Sequence, residues 1–239
     1  METAVKIITT QGLVLAFLPA FVVFVVMFRW AAGTKTAIYA TLRMLVQLLL
    51  IGYVLVYIFT ADQPGVIVGV LVIMLLAASW IAIRPVQHKQ RHVFLNALIA
   101  ISVSGLLTLG LVSQFVISVE PWFSPRYVVP LAGMIFAGAM NTVSLAAERL
   151  QAEVEREISF AEARRIAFQA SLIPMINSLF AVGLVALPGM MTGQILSGVS
   201  PMVAAKYQIV VMAMLFGVSG ISSAIYLELQ HRSESRSIT

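Results

Sequence analysis

The sequence predicts an all-α fold, a polytopic transmembrane helix bundle of about seven spans. Three observations support this prediction: 60% of the 239 residues are hydrophobic, only 10% are charged, and the charged residues fall mainly between long apolar stretches. Soluble domains carry about 25% charged residues, so this composition excludes an ordinary water-soluble globular domain. A mean hydropathy of +0.98 agrees with a chain that lies mostly in a membrane.

Seven apolar stretches are long enough to cross a bilayer as a helix, which takes about 20 residues. They are Ile8–Phe28, Ala37–Phe59, Gly65–Ile83, Val93–Ile117, Tyr127–Ala147, Leu172–Leu196 and Met202–Leu227. Three of them are preceded by a polar residue and a proline that suit the first turn of a helix. These starts are Asp62-Gln63-Pro64, Ser124-Pro125 and Ser200-Pro201. We therefore interpret residues 1–239 as a single transmembrane domain.

The basic residues predict the orientation of the bundle. With the N-terminus outside, the outer segments hold three basic residues, Lys6, Arg126 and Lys206. The inner loops and tail then hold Arg29, Lys35, Arg84, Lys89, Arg91, Arg149, Arg156, Arg164, Arg165, Arg232 and Arg236. Lys and Arg are enriched on the cytoplasmic side of membrane proteins. We expect the N-terminus outside and the C-terminus in the cytoplasm, with the chain in the lipid of the cell inner (plasma) membrane and no role in binding nucleic acid.

A charged segment, Glu148–Ala170, separates the fifth and sixth spans and contains half of the acidic residues of the chain. Because it has no Gly or Pro, the fifth helix can continue into it. Ser159 and Glu162 have the spacing of a capping box, which would start a new helix at Phe160. The alternative is one straight, solvated helix. In either case we predict that residues 148–170 form a cytoplasmic coupling segment. The candidate residues for coupling to an ATPase are Glu157, Ser159, Glu162, Arg164 and Arg165.

Polar side chains inside the spans are candidates for a translocation path. Arg43 and Gln47 are four residues apart and lie on one face of the second helix. Arg43 is only about 9 Å deep, so it either extends to the interface or faces the path. Asn141 and Asn177 are expected to face the bundle, where they either bond to neighbouring helices or contact a substrate.

The sixth span contains a helix-breaking pair, Pro188 and Gly189, followed by Met190, Met191 and Gln194. The break either lines a translocation path or is a kink that lets another helix approach closely. The two methionines are either core residues or ligands for a soft metal. With no Cys and no acidic residue in any span, we predict neither a metal site nor a cofactor. No nucleophile lies beside a base, so we do not expect an enzyme.

Several stretches match a known family. The most specific are Leu172–Ser178, Val182–Ile195 and Lys206–Met212, with supporting matches at Arg43–Leu55 and Pro130–Met134. They resemble the FetB-type ABC transporter permeases, which include bacterial metal (iron) exporters and plant aluminium-tolerance permeases. The resemblance implies a permease that exports an iron-like metal ion or a related small solute. It also implies a separate ATP-binding cassette subunit that hydrolyses ATP, and a homodimer of the permease.

One segment departs from the pattern of this family. Its members carry a Leu-Gly-Ala-Thr/Ser-Pro segment between the fifth and sixth spans, which seats on the ATPase. Here Ile158–Ser171 lacks the glycine and the loop is shorter. Either the Ser159–Glu162 cap replaces the turn, or coupling is weakened, or the partner has adapted. Two other functions therefore stay open: a non-transporting assembly or regulatory membrane protein, and an ATP-independent secondary transporter.

Overall fold

The computed structural model describes residues 8–60, 63–86 and 91–237, and it confirms the all-α prediction. These residues form nine α-helices and one π-helical turn, with no β-strand among them. Six helical segments are long and apolar enough to cross a membrane: Thr10–Arg29, Thr34–Phe59, Pro64–Ala82, Arg91–Val116, Pro125–Val154 and Pro201–Ser233. The protein is thus a polytopic helical membrane protein, and its described residues contain six such segments, where the sequence predicts seven.

The described chain groups into two compact units that divide after Thr60. The first contains α1 (Thr10–Ala16), α2 (Leu18–Arg29) and α3 (Thr34–Phe59). Gly33 adopts a φ of +71° in the turn before α3, a left-handed conformation that glycine takes without a steric penalty. Within these three helices only Ile58 is buried. The first unit therefore presents almost all of its apolar side chains outwards.

The second unit is built around one central helix. Its helices are α4 (Pro64–Ala82), α5 (Arg91–Gly110), α6 (Pro125–Val154), α7 (Phe160–Ala181), α8 (Gly189–Leu196) and α9 (Pro201–Ser237). The π-helical turn Leu111–Val116 continues α5. The central helix α6 packs against α4, α5, α7 and α9, and α9 also contacts α5, α7 and α8. Most of the buried residues of the unit lie on α4, α5, α6 and α9.

Three helices of the second unit begin at a proline, as predicted: Pro64, Pro125 and Pro201. Proline is favourable there because the first turn leaves its N–H positions without an intrahelical partner. Of the residues predicted to cap these helices, Ser200 accepts a hydrogen bond on its Oγ from the Val203 N–H, at 3.5 Å. The side chains of Gln63 and Ser124 make no capping bond. Asp62 lies outside the described residues.

The predicted sixth span, Leu172–Leu196, is broken, as the pair Pro188-Gly189 predicts, but its first helix ends earlier than expected. The helix α7 ends at Ala181, and the chain turns before α8 begins. In this turn Gly183 has a φ of +84°, and its N–H donates to the Ala186 carbonyl at 3.0 Å. Pro188, which predicts the break, is the N-cap of α8. The glycine thus reverses the chain one turn earlier than the proline indicates.

The shorter α7 explains why six helical segments, and not seven, have the length and composition of a span. Its first two turns carry Glu162, Arg164 and Arg165. After the last of these charges about 16 residues remain, or roughly 24 Å at 1.5 Å per residue. A typical hydrocarbon core is about 30 Å thick, so α7 alone is short for a full crossing.

The helices α5 and α6 are in close contact at Gly105. A Cβ atom added to this glycine would lie 2.7 Å from Cε1 and 2.9 Å from Cδ1 of the Phe136 ring. Phe136 is 2% exposed, so its ring has little space in which to move. The absence of a side chain at position 105 therefore sets the distance between these two helices.

A buried polar network joins α5 to α9. Asn96 donates through Nδ2 to Gln230 Oε1 at 3.2 Å and to Ser233 Oγ at 3.1 Å. Gln230 in turn donates through Nε2 to the hydroxyl oxygen of Tyr226 at 2.6 Å. Asn96, Tyr226 and Gln230 are all buried. Since unpaired polar groups are costly in an apolar interior, the network holds the two helices in one register.

Replacing Gln230 with leucine should lower the free energy of unfolding by about 1–3 kcal/mol, because it leaves the Tyr226 hydroxyl without the Gln230 donor and removes one of the two acceptors of the Asn96 amide. Unfolding by SDS in mixed micelles would measure the change. Gln169→Leu on the exposed face of α7 is the matched control, and we expect it to change stability by less than about 0.5 kcal/mol. Equal losses in the two variants would contradict the role of the network.

Candidate functional site

The connections predicted to be cytoplasmic lie together at one end of the second unit. Asn96, near the start of α5, bonds to Gln230 and Ser233 near the end of α9. Arg164, near the start of α7, bonds to Glu228 of the same part of α9. We call this region the charged end; it consists of Arg91, Arg149–Arg165 and Glu228–Arg232. The grouping agrees with the predicted topology, in which these segments share one side of the membrane. Which side they face stays a prediction.

A tight elbow, residues 155–159, joins α6 to α7 at the charged end. Glu157 in the elbow has a φ of +61° and is exposed. Ser159 is the N-cap of α7, and its Oγ accepts a hydrogen bond from the Glu162 N–H at 3.4 Å. This confirms the interpretation in which a cap starts a new helix at Phe160. The alternative of one straight helix is wrong.

Glu162 and Arg165 form an exposed ion pair next to the elbow. Arg165 donates through Nη2 to Glu162 Oε1 at 2.7 Å and through Nε to Oε2 at 3.1 Å. The hydrogen bonds from Arg165, together with its positive charge, lower the pKa of Glu162. The same bonds, together with the negative charge of Glu162, raise the pKa of Arg165. The pair is therefore charged at neutral pH, and what it contributes to stability is lost only as the pH falls through the lowered pKa of Glu162. Because both side chains are exposed, that contribution is small and their charges are open to a partner.

Arg164 connects the elbow to α9. Its Nη1 donates to Glu228 Oε2 at 2.9 Å, and Arg232 Nε lies 3.5 Å from the other oxygen of the same carboxylate. Sequence reasoning missed Glu228, because Arg164 and Glu228 are 64 positions apart and no local spacing links them. This bridge joins the start of α7, just after the elbow, to the end of α9.

The end of α6 contains a buried carboxylate that sequence reasoning also missed. Glu153 is 3% exposed. Its Oε1 lies 2.5 Å from Arg149 Nη2, one turn earlier, and 3.2 Å from Arg156 Nη1, beside the elbow. The spacings of four and three residues are the signal that could have found the triad. Two positive partners make the burial of this charge possible.

The polar residues predicted for a path are mostly on surfaces. In the first unit Arg43 and Gln47 are exposed on α3. In the second unit Asn141 on α6 and Asn177 on α7 are exposed, and no hydrogen bond of either side chain is seen within the described ranges. The expectation that these amides face the bundle is wrong for the bundle of a single chain. The face of α6 that points into the bundle carries other residues, which are buried: Ala139, Thr142, Val143 and Ala146.

Two adjoining cavities flank the turn between α7 and α8. Four of the predicted path residues line them: Pro188, Gly189, Met190 and Met191. The first cavity, of about 440 Å³, has four methionines in its wall, and we call it the methionine cavity; they are Met134, Met175, Met190 and Met212. The second, of about 430 Å³, contains Met191 and shares Gln208 and Met212 with the first. No charged residue lines either cavity.

The alternative in which the break is a packing kink receives no support from α8. A Cβ atom added at Gly189 or Gly193 would meet nothing within 4 Å beyond its own turn of helix, in the part of the chain that the structure describes. Neither glycine therefore serves as a site of close helix approach within this chain. The break instead lies beside open cavity space.

Two glutamines near the turn have buried side-chain oxygens that lack a hydrogen-bond partner among the described residues. Gln194 was predicted for the path, and Gln208 was missed. Gln208 is 5% exposed and precedes Met212 by four residues, so both lie on the cavity-facing side of α9. This spacing within an apolar span could have identified it. A buried amide oxygen left unpaired costs about 1–3 kcal/mol, which makes Gln208 a candidate for contact with a ligand.

The family model of the uncharacterised protein family UPF0014 matches residues 10–164 and 154–233, which together contain all of the long helices. The chain belongs to this family. Among its relatives, a UPF0014 membrane protein of Synechocystis sp. is 35% identical over 209 residues, which cover 81% of this chain and 77% of that protein. The resemblance to the FetB-type permeases is confirmed by two further relatives.

The first of these is the probable iron export permease protein FetB of Escherichia coli, 32% identical over 244 residues that cover 94% of this UPF0014 chain and 92% of FetB. The second is the protein ALUMINUM SENSITIVE 3 of Arabidopsis thaliana, 31% identical over 201 residues that cover 78% and 72% of the two chains. No solved structure gives a significant match. The chain is thus a multi-pass membrane protein of a permease-like family.

Proposed function

We propose that this chain is the permease subunit of an ABC transporter in the inner membrane, driven by a separate ATP-binding cassette subunit that docks on the charged end. The cargo would be a metal ion, as the name of the E. coli relative indicates for that protein, or a related small solute. The observation that carries the proposal is the elbow. It presents the exposed charge of Glu157, and the first turns of α7 that follow it carry the Glu162–Arg165 ion pair and are joined to α9 through Arg164.

The arrangement of α7 and α9 supports a mechanism of coupling. Both helices run between the charged end and the turn beside the methionine cavity, and the Arg164–Glu228 bridge joins them near the start of α7, just after the elbow. A second contact, 2.9 Å between the Oγ atoms of Ser171 and Ser223, joins them further along. A push on the elbow by an ATP-driven partner would therefore move α7 and α9 together and change the walls of the cavities. The sequence itself contains no phosphate-binding loop, so the motor belongs to another chain.

The exposed amides support the homodimer in this proposal. Asn141 and Asn177 lie on the surface of the second unit, on helices that otherwise show apolar side chains there. An amide that faces lipid has no hydrogen-bond partner, which is costly, whereas one that faces a second copy of the chain can find one. A second permease subunit placed against α6 and α7 would remove this cost.

Copurification from native membranes would test the proposal. A tagged wild-type chain should retain an ATP-binding cassette protein, identified by mass spectrometry, and the Glu162→Ala, Arg164→Ala double variant should lose most of it. The variant removes the Glu162–Arg165 pair and the bridge to α9. With the partner present, it should also lower the ATPase activity that cargo stimulates.

Arg126→Ala is the matched control, because Arg126 is exposed at the first turn of α6, at the end of that helix away from the elbow. It should leave both the copurified protein and the ATPase activity unchanged. Thermal unfolding of the double variant would show that its bundle remains folded. Recovery of no cassette protein, even after crosslinking, would overturn the proposal and favour the regulatory or ATP-independent transport alternatives.

A further inference from the structure

The methionine cavity offers an unusual set of ligand atoms. Four methionine residues, Met134, Met175, Met190 and Met212, line one space of about 440 Å³. All four residues are partly exposed, so the cavity can be reached and is not a sealed part of the core. Methionine commonly fills irregular core gaps, but a core filler is enclosed by its neighbours, and these four border open space.

Gln208 supplies the second, independent observation. It is 5% exposed, lines the same cavity and has no hydrogen-bond partner for its Oε1 atom among the residues described. The other polar side chain in the wall, among the described residues, is that of Ser178, whose hydroxyl already donates to the Pro174 carbonyl at 2.9 Å. The cavity thus combines several sulfur donors with one buried amide oxygen that a ligand could satisfy.

The charge and the chemical softness of the donor atoms indicate which class of ligand the cavity would bind. The wall contains no charged residue, and the described residues hold no cluster of three or more His, Asp or Glu that could bind a metal ion. Carboxylate and imidazole ligands, which suit most divalent metals, are therefore missing from this site. The cost of desolvating an ion grows with the square of its charge, so a divalent ion would pay about four times the cost of a monovalent one. Thioethers favour soft cations such as Cu⁺.

We infer that the methionine cavity is a binding site for a soft monovalent cation of the Cu⁺ or Ag⁺ class, held by thioether sulfurs and the amide oxygen of Gln208. Such an ion costs less to desolvate than a divalent ion and matches sulfur donors better than hard cations do. The inference goes beyond the proposed function, because binding can be measured on the permease chain without an ATPase partner or transport.

Equilibrium dialysis of the purified chain against Ag⁺ in chloride-free buffer, with metal analysis, would test the site. Wild type should bind about one Ag⁺ per chain, and the Met175→Leu, Met190→Leu double variant should bind it about tenfold or more weakly. Leucine keeps the apolar volume, so the variant should unfold at the same temperature as wild type without Ag⁺. Met202→Leu is the matched control, since Met202 is 70% exposed and outside both cavities, and it should leave binding unchanged.

Gln208→Leu separates the amide from the sulfurs. It should weaken Ag⁺ binding without lowering the unfolding temperature, because it removes a buried polar group that has no partner. The site would be overturned by a wild-type chain that binds no Ag⁺, by an equal loss in Met202→Leu, or by displacement of Ag⁺ by equal concentrations of Fe²⁺. None of these results would affect the copurification of an ATPase, so failure of the site and failure of the proposed function can be told apart.

Discussion

Removing both Arg149 and Arg156 should lower the free energy of unfolding by about 3 kcal/mol or more, the largest loss that we expect from changes at the charged end. The two guanidinium groups hold the carboxylate of Glu153, which is 3% exposed. With alanine at both positions a buried negative charge would be left uncompensated. SDS unfolding in mixed micelles, compared with wild type, would measure the loss.

A third substitution, Glu153→Gln, tests whether the buried charge of Glu153 causes this loss of stability. Placed in the Arg149→Ala, Arg156→Ala background, it should restore a large part of the lost stability, because a neutral amide is far cheaper to bury than a carboxylate. The single variant Arg156→Ala should cost much less, since Arg156 is mostly exposed and Arg149 remains. If glutamine gave no recovery, the loss would stem from the missing arginine side chains and not from the charge of Glu153.

Gly105→Ala should destabilise the bundle by about 1–3 kcal/mol, although alanine is ordinarily the better residue in a helix. The added methyl group would lie 2.7 Å from the ring of Phe136, which is enclosed between α5 and α6. The two helices would have to separate, or the ring would have to leave its position. Thermal unfolding in detergent, together with the yield of folded protein, would show the effect.

A smaller residue at position 136 should rescue this variant. Phe136→Leu in the Gly105→Ala background should recover stability relative to Gly105→Ala alone, since it vacates the space that the methyl group needs. Gly110→Ala is the matched control on the same helix, because an added Cβ there meets nothing within 4 Å, and it should be neutral or slightly stabilising. Equal losses at positions 105 and 110 would show that the contact with Phe136 is not responsible.

The parts of the fold that could be predicted are those with local causes. A run of apolar residues predicts a span because its length must match the bilayer, and a proline marks a helix start because it lacks an N–H. The elbow was predictable for the same kind of reason, since Ser159 and Glu162 are close enough in sequence to form the cap by themselves. The sequence does not decide between this elbow and one straight helix. The cap at Ser159 competes with continuation of the α-helix, and packing against other segments determines which of the two forms.

The features that could not be predicted depend on contacts between distant segments. The break in the sixth span was expected at Pro188, but the helix ends at Ala181 because Gly183 reverses the chain. The pairing of Arg164 with Glu228 requires α7 and α9 to lie side by side. The methionine cavity likewise collects residues from four different segments, so the sequence reveals the individual methionines but not their common space.

The turn after α7 has a consequence for the synthesis of the protein. The backbone groups of this turn hydrogen-bond to one another. The Ala181 carbonyl accepts hydrogen bonds from three successive N–H groups, those of residues 184, 185 and 186. Its tip is strongly apolar, with Leu184 90% and Val185 86% exposed. Neither α7 nor the eight-residue α8 is long enough to insert alone. The segment Pro201–Ser233 of α9 is long and apolar enough to cross by itself, and both α7 and α8 pack against α9. We therefore expect that α7 and α8 become stable in the membrane only after the ribosome has released α9.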